Sequence, residues 1–130
     1  MAITHRLSMT WSGSGASIPV SPDIQQSDDG EINAEPTIPA TTNDREVAAV
    51  FTVASLKSVF IISDRDVTLE TNSSSAPAQT INLLANKPLY WYSGAYHANP
   101  FTVDVTKFYF SNAGAVDANV KIRILRDATP

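Results

Sequence analysis

The sequence predicts an all-β, single-domain β-sandwich, jelly-roll-like, with an extended N-terminal arm or loop. Three observations carry this. Apolar and polar residues alternate with a period of two in several separate stretches, which is the pattern of half-buried strands. Turn signals separate these stretches at intervals near the roughly 8 to 12 residues common in all-β domains. No segment shows a convincing helical period.

The first stretch is the most regular. Ile3, His5, Leu7, Met9 and Trp11 alternate with Thr4, Arg6, Ser8 and Thr10, so a strand with one apolar face is expected. Ser12-Gly13-Ser14-Gly15 interrupts it, and Pro19, Pro22 and Asp28-Asp29-Gly30 punctuate the polar segment beyond. Residues 12–42 are therefore expected to form a long loop or arm. Within them, Ile32, Ala34, Pro36 and Ile38 share one parity, but the prolines lack ladder donors, which fits an edge strand or a polyproline-like arm.

Val47, Ala49, Phe51 and Val53 resume the alternation, and Val59-Phe60-Ile61-Ile62 is the continuous apolar run of a strand covered on both faces. Asn43 to Leu56 also admits a capped helix, but its β-branched and aromatic content favours a strand. Asp64-Arg65-Asp66 turns into a strand in which Val67 and Leu69 share a face. Ile81 with Leu83, Leu89 to Tyr92, Val103 with Val105, and Phe108 to Phe110 supply further short strands. The closing strand is clearly marked, with Ala118, Val120, Ile122 and Ile124 alternating with Asn119, Lys121 and Arg123. Leu7, Phe51, Phe60, Ile62, Leu69, Ile122 and Ile124 are the expected core.

The 130 residues match one domain, with no internal repeat. The absence of cysteine removes disulfides, thiol nucleophiles and thiolate metal sites. Met1 to Trp11 alternates in polarity and does not look like a signal peptide, and no apolar run approaches the ~20 residues needed to span a bilayer. An unsecreted product with no membrane partner is expected. The net charge is −4 and the nine basic residues are scattered, which disfavours direct nucleic-acid binding.

Catalytic chemistry finds no nucleus. The two histidines, His5 and His97, sit in no ligand pair and beside no nucleophile motif. His5, on the apolar parity of its strand, reads as a packed histidine with a satisfied ring nitrogen. Asp28, Asp29 and Glu31, or Asp64 and Asp66, are cation candidates by type, but their spacing matches no calcium loop, and turn formation explains them. No enzyme activity, cofactor or metal is expected. The cluster Tyr90, Trp91, Tyr92, Tyr96 and Phe101 invites a sugar-binding or interface role, with about half of its rings serving the core. Trp91, Tyr92, Tyr96 and His97, with Pro19, Pro22, Pro36 and Pro39 of the arm, are the candidate partner-binding residues.

Several pieces of the chain resemble a known group. Leu56-Lys57-Ser58-Val59-Phe60-Ile61-Ile62-Ser63-Asp64, Val67-Thr68-Leu69-Glu70-Thr71-Asn72, Asn86-Lys87-Pro88-Leu89, the stretch from Asn99 to Thr106 and the stretch from Lys121 to Asp127 are similar to small proteins encoded near the major capsid genes of tailed bacteriophages. The resemblance covers roughly residues 45 to 130 and leaves residues 12–42 unmatched. It implies a jelly-roll-like decoration or cement protein of the viral capsid, made in the host cytoplasm and carried on the capsid exterior of the virion. The implied partner is the major capsid protein, with the subunit acting as a homo-oligomer, dimer or trimer, on the shell. It brings no active site. A carbohydrate- or receptor-binding module of the virion surface and a head-completion or tail structural protein are the alternatives.

Overall fold

A computed structural model describes residues 2–128; residues 1, 129 and 130 of the expected single domain lie outside the described residues. The strands are β1 (Ile3–Leu7), β2 (Thr10–Trp11), β3 (Ile18–Pro19), β4 (Ile24–Asp28), β5 (Gly30–Ala34), β6 (Thr37–Ile38), β7 (Thr42–Phe51), β8 (Leu56–Ser63), β9 (Val67–Thr71), β10 (Thr80–Leu83), β11 (Leu89–Tyr92), β12 (Val105–Asn112) and β13 (Ala118–Arg126). The one helical element among the described residues is a 3-10 turn, Val53–Ser55. The fold is all-β, with sheets packed face to face in the manner of a β-sandwich.

One sheet has the order β10-β9-β12-β7 and the other β11-β8-β13-β5, with β6 also paired to β13. All pairings are antiparallel. Apart from the β9–β10 hairpin, each connection from β6 onward crosses from one sheet to the other. Period-two alternation therefore sends one parity of every strand into a shared core.

Phe108 occupies the centre of that core, stacked on Phe101 at 5.7 Å and edge-on to Phe51 and Phe110 at 6.1 and 6.0 Å. Leu69, Val105, Val120, Ile122 and Ile124 close around these rings, all buried. Offset and T-shaped ring pairs are the favoured aromatic geometries, adding about 0.5–1.5 kcal/mol each beyond area burial.

The structure corrects the expected core at three positions. Phe60 and Ile62 are not core residues: Val59 and Ile61 take the inward parity of β8, leaving Phe60 37% exposed and Ile62 half-buried on the outer face. A continuous apolar run leaves its inward parity undetermined, so the size of the Phe60 ring is no guide to its side. Leu7 is likewise half-buried, lying outside the sandwich.

Residues 12–42 are also not one long loop. They contain β3 to β6 and enter β7, and β5 lines the edge of the five-stranded sheet, with Ile32 and Ala34 packed against the core. Pro36 lies between β5 and β6, where it needs no donor; its carbonyl accepts the Val120 N–H at 3.0 Å. Pro39, just past β6, is exposed.

The part that leaves the sandwich is smaller. β1 and β4 form a two-stranded ribbon lying over the outer face of the β11-β8-β13-β5 sheet. Beyond it β2 and β3 form a hairpin in which every residue from 8 to 23 is exposed. Trp11 stands opposite Ile18, and the Val20 N–H donates to the Met9 carbonyl at 2.9 Å. Opposed residues share a face, so Met9, Trp11, Ile18 and Val20 make one apolar patch, with Trp11 78% and Ile18 65% exposed. Pro19 sits in β3, and Pro22 follows a cis peptide bond where the hairpin rejoins the ribbon.

Candidate functional site

The ribbon and the sheet beneath it enclose a cleft of about 420 Å³. Strand register fixes its floor. Tyr90 of β11, Phe60 of β8 and Arg123 of β13 stand side by side, as do Tyr92, Ser58 and Leu125 one step along. Glu31 of β5 continues the second row opposite Leu125. Alternation places all of these on the outer face, because Val59, Ile122 and Ile124 take the inner one. Leu125 is wholly buried on this outer face, which the overlying ribbon explains.

The ribbon's inward parity supplies the roof: His5 opposite Gln26, and Leu7 opposite Ile24. His5 is fastened at both ends. Its Nδ1 lies 2.7 Å from Ser58 Oγ and its Nε2 lies 2.6 Å from Glu31 Oε2. Ser58 and Glu31 flank Leu125 at two strand spacings, about 9 to 10 Å, and the imidazole spans that gap. With a neutral ring, Nε2–H donates to the carboxylate and the Ser58 hydroxyl donates to Nδ1. Gln26 adds a third tie, its amide Nε2 donating to the Ser93 carbonyl at 3.0 Å.

A hydroxyl, an imidazole and a carboxylate in sequence have the composition of an acyl-transfer triad. Acyl transfer also needs donors aimed at a developing oxyanion. The β8 backbone at Ser58 is paired with β11 on one edge and β13 on the other, so the ladder occupies the amides that elsewhere form such a hole. On these distances the cluster clamps the ribbon to the sheet.

The predicted partner residues separate in space. Tyr92 lines the cleft, and Tyr90, a member of the same aromatic cluster, lines it too. Trp91 borders the cleft but shares the parity of Leu89 and packs against the core. His97 accompanies the tyrosines: its Nε2 is 2.9 Å from the Tyr90 carbonyl oxygen, with its ring edge-on to Tyr90 at 5.1 Å and to Tyr92 at 6.4 Å. Tyr96 is fully exposed. Pro19, Pro22, Pro36 and Pro39 are not among the residues that line this cleft.

The residues that sequence reasoning missed are Ser58, Gln26 and Arg123, while Glu31, named there only as a cation candidate beside Asp28 and Asp29, is instead bound to His5. Only the apolar parity of His5 signalled that something polar had to meet its ring. Asp28 and Asp29 do gather with a third carboxylate, Asp127, whose ligand atoms lie within 4.8 Å of theirs. Asp29 is already engaged, its Oδ1 accepting the Ala128 N–H at 2.8 Å. No helix among the described residues is long and apolar enough to cross a membrane.

Comparison with family models, curated proteins and solved structures finds no match.

Proposed function

We propose that this protein is a decoration or cement subunit on the outer face of a tailed-phage capsid, binding the major capsid protein and stabilising the shell. The observation that carries this reading is the β2–β3 hairpin, which holds Met9, Trp11, Ile18 and Val20 as one apolar patch clear of the domain. A side chain such as tryptophan gains roughly 1.5–3 kcal/mol or more on burial, and aromatic anchors of this kind dominate protein interfaces. We read the strand order β5-β13-β8-β11 against β7-β12-β9-β10 as a jelly roll, a fold used by viral capsid domains and lectins alike. We take the first of these uses, on the expected resemblance of roughly residues 45 to 130 to small proteins encoded near major capsid genes.

The thermodynamics are those of a ligand for the assembled lattice. A subunit that binds the shell and not dispersed capsid protein stabilises it by about 2.7 kcal/mol per site at a hundredfold excess over Kd. Many sites sum. Apolar docking depends weakly on salt.

The test compares heat-induced DNA release from particles with the protein, without it, and without it but supplemented with purified subunits. Release should occur at lower temperature without the protein and be restored by the wild type. A folded Trp11→Ser, Ile18→Ser variant should not restore it. Identical release temperatures in all samples would remove the cement reading. A copy number near a dozen per virion would instead place the protein in the head-completion or tail machinery.

A further inference from the structure

We propose that the cleft between the β1–β4 ribbon and the outer sheet face is a binding site for a neutral pyranose sugar. This goes beyond capsid docking, since it uses none of the hairpin residues.

Phe60 is the first reason. It sits on the central strand β8, between Tyr90 and Arg123 in register. A large ring at the middle of a sheet face is ordinarily covered, yet Phe60 is 37% exposed because the roof over it, Leu7 and Ile24, stands off to leave about 420 Å³. Sites of this kind are mostly apolar with a few fixed polar groups. Phe60, Tyr90 and Tyr92 provide a platform on which the C–H face of a sugar ring can stack.

The fixed polar groups are the second reason. Gln26 is oriented by its bond to the Ser93 carbonyl, leaving its side-chain oxygen as an acceptor. Glu31 is held by His5 through Oε2, leaving Oε1. The hydroxyls of Tyr90 and Tyr92 have no partner among the described residues. Donors and acceptors thus surround an aromatic floor. A ring with one apolar face and a rim of hydroxyls matches that pattern, whereas a purely apolar ligand would leave these groups unpaired at a cost.

Charge sets the neutral class. Glu31 faces His5 at 2.6 Å, and Arg123 donates to Glu35 at 2.8 Å. Glu31 and Arg123 are thus both already engaged, one by the His5 N–H and the other by the Glu35 carboxylate. Arg6 borders the cleft from the outward parity of β1.

The test is an amide NMR titration of the full chain with methyl glycosides of glucose, galactose, mannose and N-acetylglucosamine, with glucuronate and indole as further arms. At least one neutral glycoside should shift resonances of β1, β4, β8 and β11 saturably. Phe60→Ala should weaken that binding by about tenfold or more with the fold retained, its melting temperature falling far less than that of Phe108→Ala. Tyr90→Phe, which removes only a hydroxyl, should weaken it by a smaller factor. The inference is overturned if no neutral glycoside gives saturable shifts, or if the shifts map to Tyr96 or the hairpin. Indole binding without any glycoside binding would assign the cleft to an apolar partner side chain. Tighter binding of glucuronate than of any neutral sugar would overturn the neutral class. Phe60→Ala leaves the hairpin intact and should leave particle heat-release unchanged, so this outcome and that of the capsid reading are read separately.

Discussion

The side-chain amide of Asn112 donates to the backbone carbonyl of Ile38, 74 residues earlier, at 3.1 Å. The same Nδ2 donates to the Val116 carbonyl at 2.8 Å, and Oδ1 accepts the Gly114 N–H at 3.0 Å. Asn112 is buried, so one amide closes the β12–β13 turn and also ties it to β6. Asn112→Ala should cost about 2–3 kcal/mol, because carbonyls once satisfied are left buried and unpaired. Asn112→Asp should be worse, since a carboxylate would face two carbonyl oxygens. Urea denaturation of both variants measures this.

Phe108 and Phe60 make a matched pair of opposite expectation. Phe108→Ala removes the ring at the centre of the aromatic cluster and should cost about 3–5 kcal/mol. Phe60→Ala should cost less than about 1 kcal/mol, since the ring is already in contact with water. Equal losses in thermal melts would mean that Phe60, like Phe108, faces the core.

Removing the His5 ring should loosen the ribbon before it loosens the sandwich. His5→Ala deletes both bonds to Ser58 and Glu31, together worth roughly 1–3 kcal/mol. Faster hydrogen exchange is expected at residues 3–7 and 24–28, with protection in β8 and β12 retained. Uniform acceleration across all strands would show that the ribbon and the sandwich open as one unit.

Two carboxyls give stability opposite pH slopes. The Asp64 carboxylate accepts the Asn119 backbone N–H at 2.8 Å and its side-chain amide at 3.2 Å, and these bonds hold its pKa below the ordinary aspartate range. Its contribution is present above the unfolded-state pKa and is lost as pH falls through the depressed folded value. Burial, then the neighbouring Asp44, pushes Glu70 up. Its contribution is present below the unfolded-state pKa and is lost as pH rises through the raised folded value. Denaturation over a pH series should show Asp64→Asn flattening the acid limb and Glu70→Gln removing the decline on the other side.

Gly30 and Gly13 should respond oppositely to alanine. A Cβ at Gly30 would stand 2.9 Å from Ala128 Cβ and 3.0 Å from the Arg126 carbonyl oxygen, whereas at Gly13 nothing lies within 4 Å. Gly30→Ala should cost about 1–3 kcal/mol by overpacking. Gly13→Ala should be neutral or stabilising by up to about 1 kcal/mol, through the unfolded chain. Thermal melts of the two single variants check both signs.

The strands with clean alternation were legible in the sequence. Ala118, Val120, Ile122 and Ile124 are all buried, as are Val67 and Leu69. Where apolar residues ran together, as in Val59 to Ile62, period two held but its phase did not show. β4 and β5 were obscured because their outward positions are polar and their inward ones modest, as in Ile24, Gln26 and Asp28. Of the site, the aromatic run Tyr90 to Tyr92 and the apolar parity of His5 carried local signals. The partners of His5 lie 26 and 53 residues away; nothing near Ser58 distinguishes it, and the acidic neighbours of Glu31 pointed to a cation instead of an imidazole. Pairing of β8 and β5 to opposite edges of β13 is what brings them together, and register between distant strands is not written in either strand alone.

That central position of β13 also bears on how the chain is made. β5, β6 and β8 are all synthesised before residues 118–126, yet each has an edge that only β13 covers. Until then a nascent chain presents those edges open, and exposed strand edges invite pairing with other chains. Formation of the five-stranded sheet therefore waits for a strand translated after the others of that sheet, and any cell making the protein in quantity has to keep many half-built sheets apart for the same interval.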